Sequence, residues 1–272
     1  MTNIGTANIT IYDISNPLSP APVRQFGTGE LSAPSGMAIT GTTLYVANAG
    51  GDQAIEIYNI SNPIMPVRIR QFGEGELNNP NALAITGTTL YVTNLNDDNV
   101  EIYDISNPTF PARVTEFGGG ELNGPNGLAI IGDILYVSNS GDATVEIYNI
   151  SNPIMPANIT QFGATDLSNP IGLVITGNTL YVANFQFAGG NTVEIYNISN
   201  PSLPSHVTEF GAGVLNGPTE LAITGNILYV INLNGNNITI YDISNPTMPA
   251  LVSELNGGNL STPFGLVIFS AN

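Results

Sequence analysis

The chain has no cysteine, no lysine and no tryptophan, and it carries a single histidine. Each absence closes a class of chemistry. Without cysteine there is no disulfide, no thiol nucleophile and no thiolate-held zinc. Without lysine there is no Schiff base. The basic residues are four arginines against 21 Asp and Glu, which leaves a formal charge of −17. A surface of that sign cannot neutralise a run of phosphates, so nucleic acid is excluded as a partner and an anionic membrane is disfavoured. No apolar run approaches the roughly 18 residues of a spanning helix, so no membrane insertion is expected. The lack of tryptophan argues against a module that stacks sugars on indole rings, although the 11 tyrosines could substitute in part. The opening residues, MTNIGTANIT, lack the basic start and apolar centre of a secretory leader.

What is abundant is turn chemistry. The chain has 30 Gly, 19 Pro and 35 Asn, while only 9% of its residues are charged. That composition predicts a turn-rich β protein. It is also repetitive. Ile-Ser-Asn-Pro begins at Ile14, Ile60, Ile105, Ile150, Ile198 and Ile243, at intervals of 46, 45, 45, 48 and 45 residues. Leu-Tyr-Val, followed by one residue and Asn, begins at Leu44, Leu90, Leu135, Leu180 and Leu228. Each copy reads as four short strands, the third copy as residues 127–131, 134–138, 144–150 and 157–162. β-branched and aromatic residues fill these runs, and Ser-Asn-Pro ends the third. Four strands in about 45 residues, repeated, make the blade of a β-propeller. The expectation is all-β: one six-bladed propeller over residues 1–272, with four-stranded antiparallel blades. Its closing blade is expected to be built from both termini. Residues 264–269 would give the innermost strand, residues 8–14 and 22–26 the third and fourth. The second would be patched from 2–4 and 270–272 or left incomplete.

Three motifs carry family likeness. Phe117-Gly-Gly-Gly-Glu-Leu-Asn-Gly-Pro-Asn-Gly-Leu-Ala-Ile130 resembles the NHL repeat. Tyr91-Val-Thr-Asn94 matches the YVTN propeller repeat, and Ile240-Tyr-Asp-Ile-Ser-Asn-Pro-Thr-Met-Pro249 resembles the LVIVD repeat. The likeness covers essentially the whole chain. It implies a propeller and leaves function open, because such repeats serve enzymes, receptors, scaffolds and surface proteins.

Several residues are candidates for function. Asn48, Asn94, Asn139, Asn184 and Asn232 read as turn caps bonding the loop before the third strand. Loop carboxylates (Asp52, Asp97, Asp98, Asp142) and link carboxylates (Glu30, Glu74, Glu76, Glu121, Asp166) should gather on one face. They serve there either as solvation or as oxygen ligands for a divalent cation such as Ca²⁺. Glu56, Glu101, Glu146 and Glu194 recur in the third strand, with no partner type nearby in sequence, and read as structural or edge-exposed. In the row before the innermost strand Glu220 stands where other copies have Gly or Ala. Six-bladed enzymes of the gluconolactonase and paraoxonase type hold a metal with carboxylates and Asn at such channel mouths. That resemblance would assign Glu220, Asn81 and Asn126 to a metal. His206 falls in an outermost strand, away from the axis, as a surface side chain. The fourth copy carries an insertion whose Phe185 and Phe187 would either project as a contact or fold over the blade edge. On the opposite face, Met65, Phe110, Met155, Leu203 and Met248 precede a proline and form a broken apolar ring, either a cover for the blades or a docking surface. The reading is a non-enzymatic binding or structural module, extracellular or on the cell surface, that meets a protein partner or itself, with no resident cofactor. The alternatives are a metal-dependent lactonase- or lyase-type enzyme, and a cytoplasmic location.

Overall fold

The computed structural model describes residues 1–186 and 190–269. Among them are strands and turns but no helix. Five four-stranded antiparallel meanders cover residues 34–72, 80–117, 125–162, 170–210 and 218–256, numbered here as blades 1 to 5. Blade 3 shows the pattern, with strands Pro125–Ile131, Ile134–Asn139, Thr144–Asn149 and Ala157–Phe162. Gly132, at φ +55°, turns the first strand into the second, a backbone region that favours glycine.

Burial follows position in the blade. The second strand is covered on both faces, and Leu135, Tyr136 and Val137 are buried there. The fourth strand, at the rim, is largely exposed. The core is six clusters, each drawn from adjacent blades. An aromatic pair marks five of the blade boundaries. The last Phe of one blade meets the third-strand Tyr of the next edge-on, as in Phe72–Tyr103 at 5.0 Å, Phe117–Tyr148 at 4.8 Å and Phe26–Tyr58 at 5.2 Å. Such pairs add about 0.5–1.5 kcal/mol beyond the area they bury. At the sixth boundary Leu255 takes the place of the Phe and packs in the cluster that reaches Tyr12.

The sixth blade is assembled from both ends, as expected. Thr2–Asn3, Asn8–Asp13 and Ala21–Phe26 form its second, third and fourth strands. The innermost position comes from the C-terminal segment. Pro263 bridges to Asn3, the Thr2 N–H donates to the Gly265 carbonyl at 2.9 Å, and the Phe264 N–H donates to the Thr2 carbonyl at 3.1 Å. The expected strand over 264–269 departs from this after Gly265: residues 266–268 pack inward, Phe269 is exposed, and none of the four joins a ladder. Among the described residues the second strand of this blade is only Thr2–Asn3.

Candidate functional site

The propeller offers three places for function: the axis, the face carrying the blade-to-blade links, and the opposite face. At the axis the inner strands crowd together. A Cβ on Gly265 would lie 2.1 Å from the Ser35 carbonyl oxygen, and one on Gly127 would lie 2.1 Å from that of Ile171. Hydroxyls stitch the blades here. Thr2, Ser35, Thr93, Ser138 and Thr219 each donate to a carbonyl of the next blade, at 2.8, 2.9, 2.8, 2.5 and 3.3 Å. The boundary between blades 4 and 5 has Ala183 in the second-strand position of this row, and there Glu220 stands against Gly172.

The structure brings Asn81 and Asn126 together: Asn81 Nδ2 donates to Asn126 Oδ1, and Asn126 Nδ2 donates to Ser140 Oγ at 2.7 Å. Glu220 belongs to blade 5, with blade 4 between it and Asn126. Its Oε1 accepts the Leu221 N–H at 3.0 Å. Burial pushes its carboxyl up to about 8, and the Leu221 N–H opposes this only in part. The two Asn side chains spend their polar atoms on protein, and Glu220 lies a full blade away from Asn126, so the structure does not bring the three together as one set of ligands. No group of three His, Asp or Glu positioned for one occurs among the described residues.

On the link-bearing face the carboxylates have structural partners. Tyr58, Tyr103 and Tyr148 donate their hydroxyls to Glu30, Glu76 and Glu121 at 3.0, 3.0 and 3.1 Å, and Tyr196 reaches Asp166 at 3.5 Å. In blade 5 Val214 replaces the acid, and the buried Tyr241 hydroxyl has no partner among the described residues. The repeated Asn does more than cap the turn before the third strand. Its Oδ1 reaches back to the link and accepts a backbone N–H there: Ser32 to Asn48 at 2.6 Å, Asn123 to Asn139 at 2.6 Å, Ser168 to Asn184 at 2.8 Å, Asn216 to Asn232 at 3.0 Å. Asn3 is the unrecognised sixth member, accepting from Ser261 at 3.2 Å. The loop carboxylates complete this lattice, Asp97 accepting from Asn78 at 2.8 Å and Asp142 from Asn123 at 2.9 Å. Asp98 crosses to the next blade and accepts the Gly124 N–H at 2.7 Å.

Of the two expectations for the third-strand glutamates, structural or edge-exposed, the structure gives the first, and it supplies partners that the sequence did not show nearby. Glu56, Glu101, Glu146 and Glu194 are buried. Each meets the residue twelve positions on, across the hairpin to the fourth strand: Arg68 at 2.7 Å, Arg113 at 2.7 Å, Asn158 at 3.2 Å and His206 at 2.8 Å. Where the third strand has Thr10 or Thr239, the fourth has Pro22 or Leu251. Burial raises Glu101 to about 7 despite Arg113, and it raises Glu56 and Glu146 as well. His206 lies on the rim strand as expected, its ring half-exposed and bonded to Glu194.

The opposite face carries the apolar ring. Met65, Phe110, Met155, Leu203 and Met248 are 56, 63, 71, 74 and 73% exposed, so they do not cover the blade bottoms. Of the two expectations for Phe185, a projecting contact or a ring folded over the blade, the structure gives the second. Phe185 is 7% exposed, and its ring would crowd a Cβ on Gly217 of the next blade. Phe187 lies outside the described residues.

Against known proteins, the LVIVD repeat model matches residues 4–28, 81–117, 171–210 and 219–256, just over half of the chain. The chain belongs to the LVIVD repeat family. No curated protein matches the LVIVD chain significantly. Among solved structures it is similar to a chain of a nidogen/laminin complex, at 16% identity and a TM-score of 0.73, over 97% of this chain and 95% of that one. It is also similar to a putative 6-phosphogluconolactonase from Bacteroides fragilis, at 16% identity and a TM-score of 0.69, covering 95% and 78%. A periplasmic gluconolactonase from Pseudomonas aeruginosa follows at 13% identity and 0.70, covering 93% and 78%. At these identities the likeness shows the propeller fold alone.

Proposed function

We propose that this LVIVD propeller is a non-enzymatic binding and scaffold module that associates with protein through its apolar face, and that a second copy of the chain is one such partner. The observation that carries this is the exposure of Met65, Phe110, Met155, Leu203 and Met248, one large apolar side chain on the same loop of each of five successive blades. Burying one such side chain is worth about 1.5–3 kcal/mol, so a ring left in water favours association. Charge directs which faces meet. The link-bearing face holds most of the loop carboxylates of a chain with charge −17, so two copies repel there and meet through their apolar rings. The lysine-free, cysteine-free and acidic composition supports a place outside the cell or on its surface.

Sedimentation equilibrium tests the proposal. The wild-type chain is expected to self-associate in the micromolar range, and the triple variant Met155→Ser, Leu203→Ser, Met248→Ser to remain monomeric with an unchanged melting temperature. A wild-type chain that is monomeric at several hundred micromolar would overturn it. The alternative, a lactonase- or lyase-type enzyme, has one observation in its favour: Glu220, a carboxyl set into the axis and raised by burial. Lactone hydrolysis lost in Glu220→Gln would establish that reading instead.

A further inference from the structure

Blades 1 and 2 repeat one polar arrangement with two differences. At the rim of blade 2, on its link-bearing side, lies an open recess of about 510 Å³ lined by Glu76, Asp97, Asn99, Glu101, Arg113 and Glu116. The corresponding residues of blade 1 are Glu30, Asp52, Ala54, Glu56, Arg68 and Gln71. Asn99 and Glu116 set the blade 2 recess apart. One puts a carboxamide where blade 1 has a methyl group, and the other a carboxylate where blade 1 has a carboxamide.

Asn99 is 7% exposed, and its Oδ1 has no hydrogen-bond partner among the described residues. A buried acceptor left unpaired is costly, so a donor that reaches it gains more than one that meets water-exposed oxygen. Asn99 stands two residues before Glu101 on the third strand, which turns both side chains to the same face. The closing blade shows what satisfies this position: Asn8 Oδ1 accepts from Asn3 Nδ2 at 3.0 Å. In blade 2 the counterpart of Asn3 is Asn94, which gives its Nδ2 to Asp97 at 3.2 Å instead.

The recess is also short of positive charge. Its four carboxylates share one guanidinium, Arg113, which lies 2.7 Å from Glu101 and also bonds Glu116. Burial first, and Glu116 after it, pushes the Glu101 carboxyl up to about 7 against the pull of Arg113. The complementary ligand brings positive charge together with several N–H donors. A metal ion is a poor match, because it needs oxygens converging within about 2.6 Å, and no group of three acids so placed occurs among the described residues. An ammonium asks less. Its bonds are about 2.7–2.9 Å long, and each carboxylate offers about four acceptor positions. Glu76 spends one on the Tyr103 hydroxyl at 3.0 Å, and Asp97 spends two, on Asn78 at 2.8 Å and on Asn94. An ammonium therefore adds to the existing bonds without displacing them.

We propose that this recess binds a primary alkylammonium group, held by the Asn99 carboxamide oxygen and the Glu76, Asp97 and Glu116 carboxylates. Residues 1–272 contain no lysine, so the group comes from another molecule, as a lysine side chain of a separate polypeptide or as a free polyamine. The site is independent of association through the apolar face.

Isothermal titration calorimetry of the full chain tests this, with Nα-acetyl-lysine methylamide, the same compound acetylated at Nε, and spermidine as ligands. Saturable binding of an ammonium ligand is expected, with Kd at or below about 1 mM, and none by the Nε-acetylated compound. Binding of the lysine compound supports a polypeptide as the source, and binding of spermidine alone supports a free polyamine. The double variant Asn99→Ala, Glu116→Gln gives blade 2 the residues that blade 1 already carries. It should melt as the wild type does and bind at least about tenfold more weakly. Glu116→Gln alone is the second variant. Its side chain is half-exposed, and a glutamine there still accepts from Arg113, as Gln71 does from Arg68 at 2.6 Å, so the fold is kept while binding weakens. Three results would each overturn the proposal: no saturation by about 10 mM of either ammonium ligand, equal binding by the Nε-acetylated compound, or undiminished affinity in both variants.

Discussion

Arg68 Nε lies 2.7 Å from Glu56 Oε2, and this contact joins the exposed rim of blade 1 to a carboxylate buried behind it. The same hairpin in blade 5 uses Thr239 and Leu251 instead. One molecule thus contains both the charged and the apolar solution to a single position. Removing only the cation strands a buried carboxylate, whereas replacing both members restores a combination that the fold already accepts. Arg68→Leu is expected to cost about 2 kcal/mol. That is less than the ~3–5 kcal/mol typical of a fully buried pair, because the guanidinium is about one-third exposed. Glu56→Thr combined with Arg68→Leu should recover most of the loss. Urea denaturation of the two variants measures the difference, and a double variant no better than the single one would refute the equivalence.

The pH dependence has two opposing parts. Glu101 is raised to about 7 and Glu220 to about 8, both first by burial, from an ordinary 4.5. A carboxyl raised on folding favours the folded state fully below its unfolded value, and that stability is lost as pH climbs through the folded one. The Met1 amine is lowered by burial from 8.0 to about 5, which costs stability as pH falls between those values. Two raised carboxyls outweigh one lowered amine, and Glu56 and Glu146 are raised as well. The melting temperature is expected to rise on acidification from pH 8 to pH 6. Glu220→Gln should flatten that rise, and N-terminal acetylation should steepen it. Thermal melts in buffers of constant ionic strength measure all three.

Calcium should have little specific effect. Asp97 and Asp142 already accept hydrogen bonds from Asn78 and Asn123, and Glu30, Glu76 and Glu121 accept from tyrosine hydroxyls. A cation would have to displace these bonds before gaining oxygen ligands. Millimolar CaCl₂ is expected to shift the melting temperature no more than NaCl of equal ionic strength does. A specific rise, through binding to the native state, would show that the carboxylates can be recruited.

The repeat made the blades legible because its period and its strand alternation are the same physical fact. Residues 157–162 were expected as a strand and form Ala157–Phe162, and the strand expected over 127–131 begins only two residues earlier. The polar lattice was less legible, because its partners are set by register across a hairpin or by the meeting of blades. Glu56 meets Arg68 twelve residues on, and Asn48 meets Ser32 sixteen residues back. A signal was present, since Arg68, Arg113, Asn158 and His206 accompany Glu while Pro22 and Leu251 accompany Thr. Asn3 escaped notice because the Leu-Tyr-Val that marks its row elsewhere is missing ahead of it. The two positions open to Phe185 could not be told apart in sequence, because insertion and polarity say nothing of the space that Gly217 leaves open in the neighbouring blade.

Closure of the ring makes the termini decisive for the whole disc. The C-terminal segment packs Leu266 and Ile268 against one neighbouring cluster and Val267 against another, so it serves both sides of the closing blade. Other bonds cross the same seam: Tyr229 donates to the Pro17 carbonyl at 2.8 Å and Ser253 to the Leu18 carbonyl at 3.0 Å. Deleting residues 264–272 removes the three apolar side chains and the bonds that Thr2 makes to Gly265. Each half-buried aliphatic contributes up to about 1.5–3 kcal/mol, so a loss of about 5 kcal/mol is expected. For a chain of this size that is a fall of roughly 10–20 °C in melting temperature. Because blade 6 holds blade 5 to blade 1, the loss should appear as one cooperative transition at lower temperature, not as an early local one. Calorimetry of the truncated chain decides the matter, and a melting temperature equal to that of the full chain would show that the C-terminal segment does not hold the ring shut.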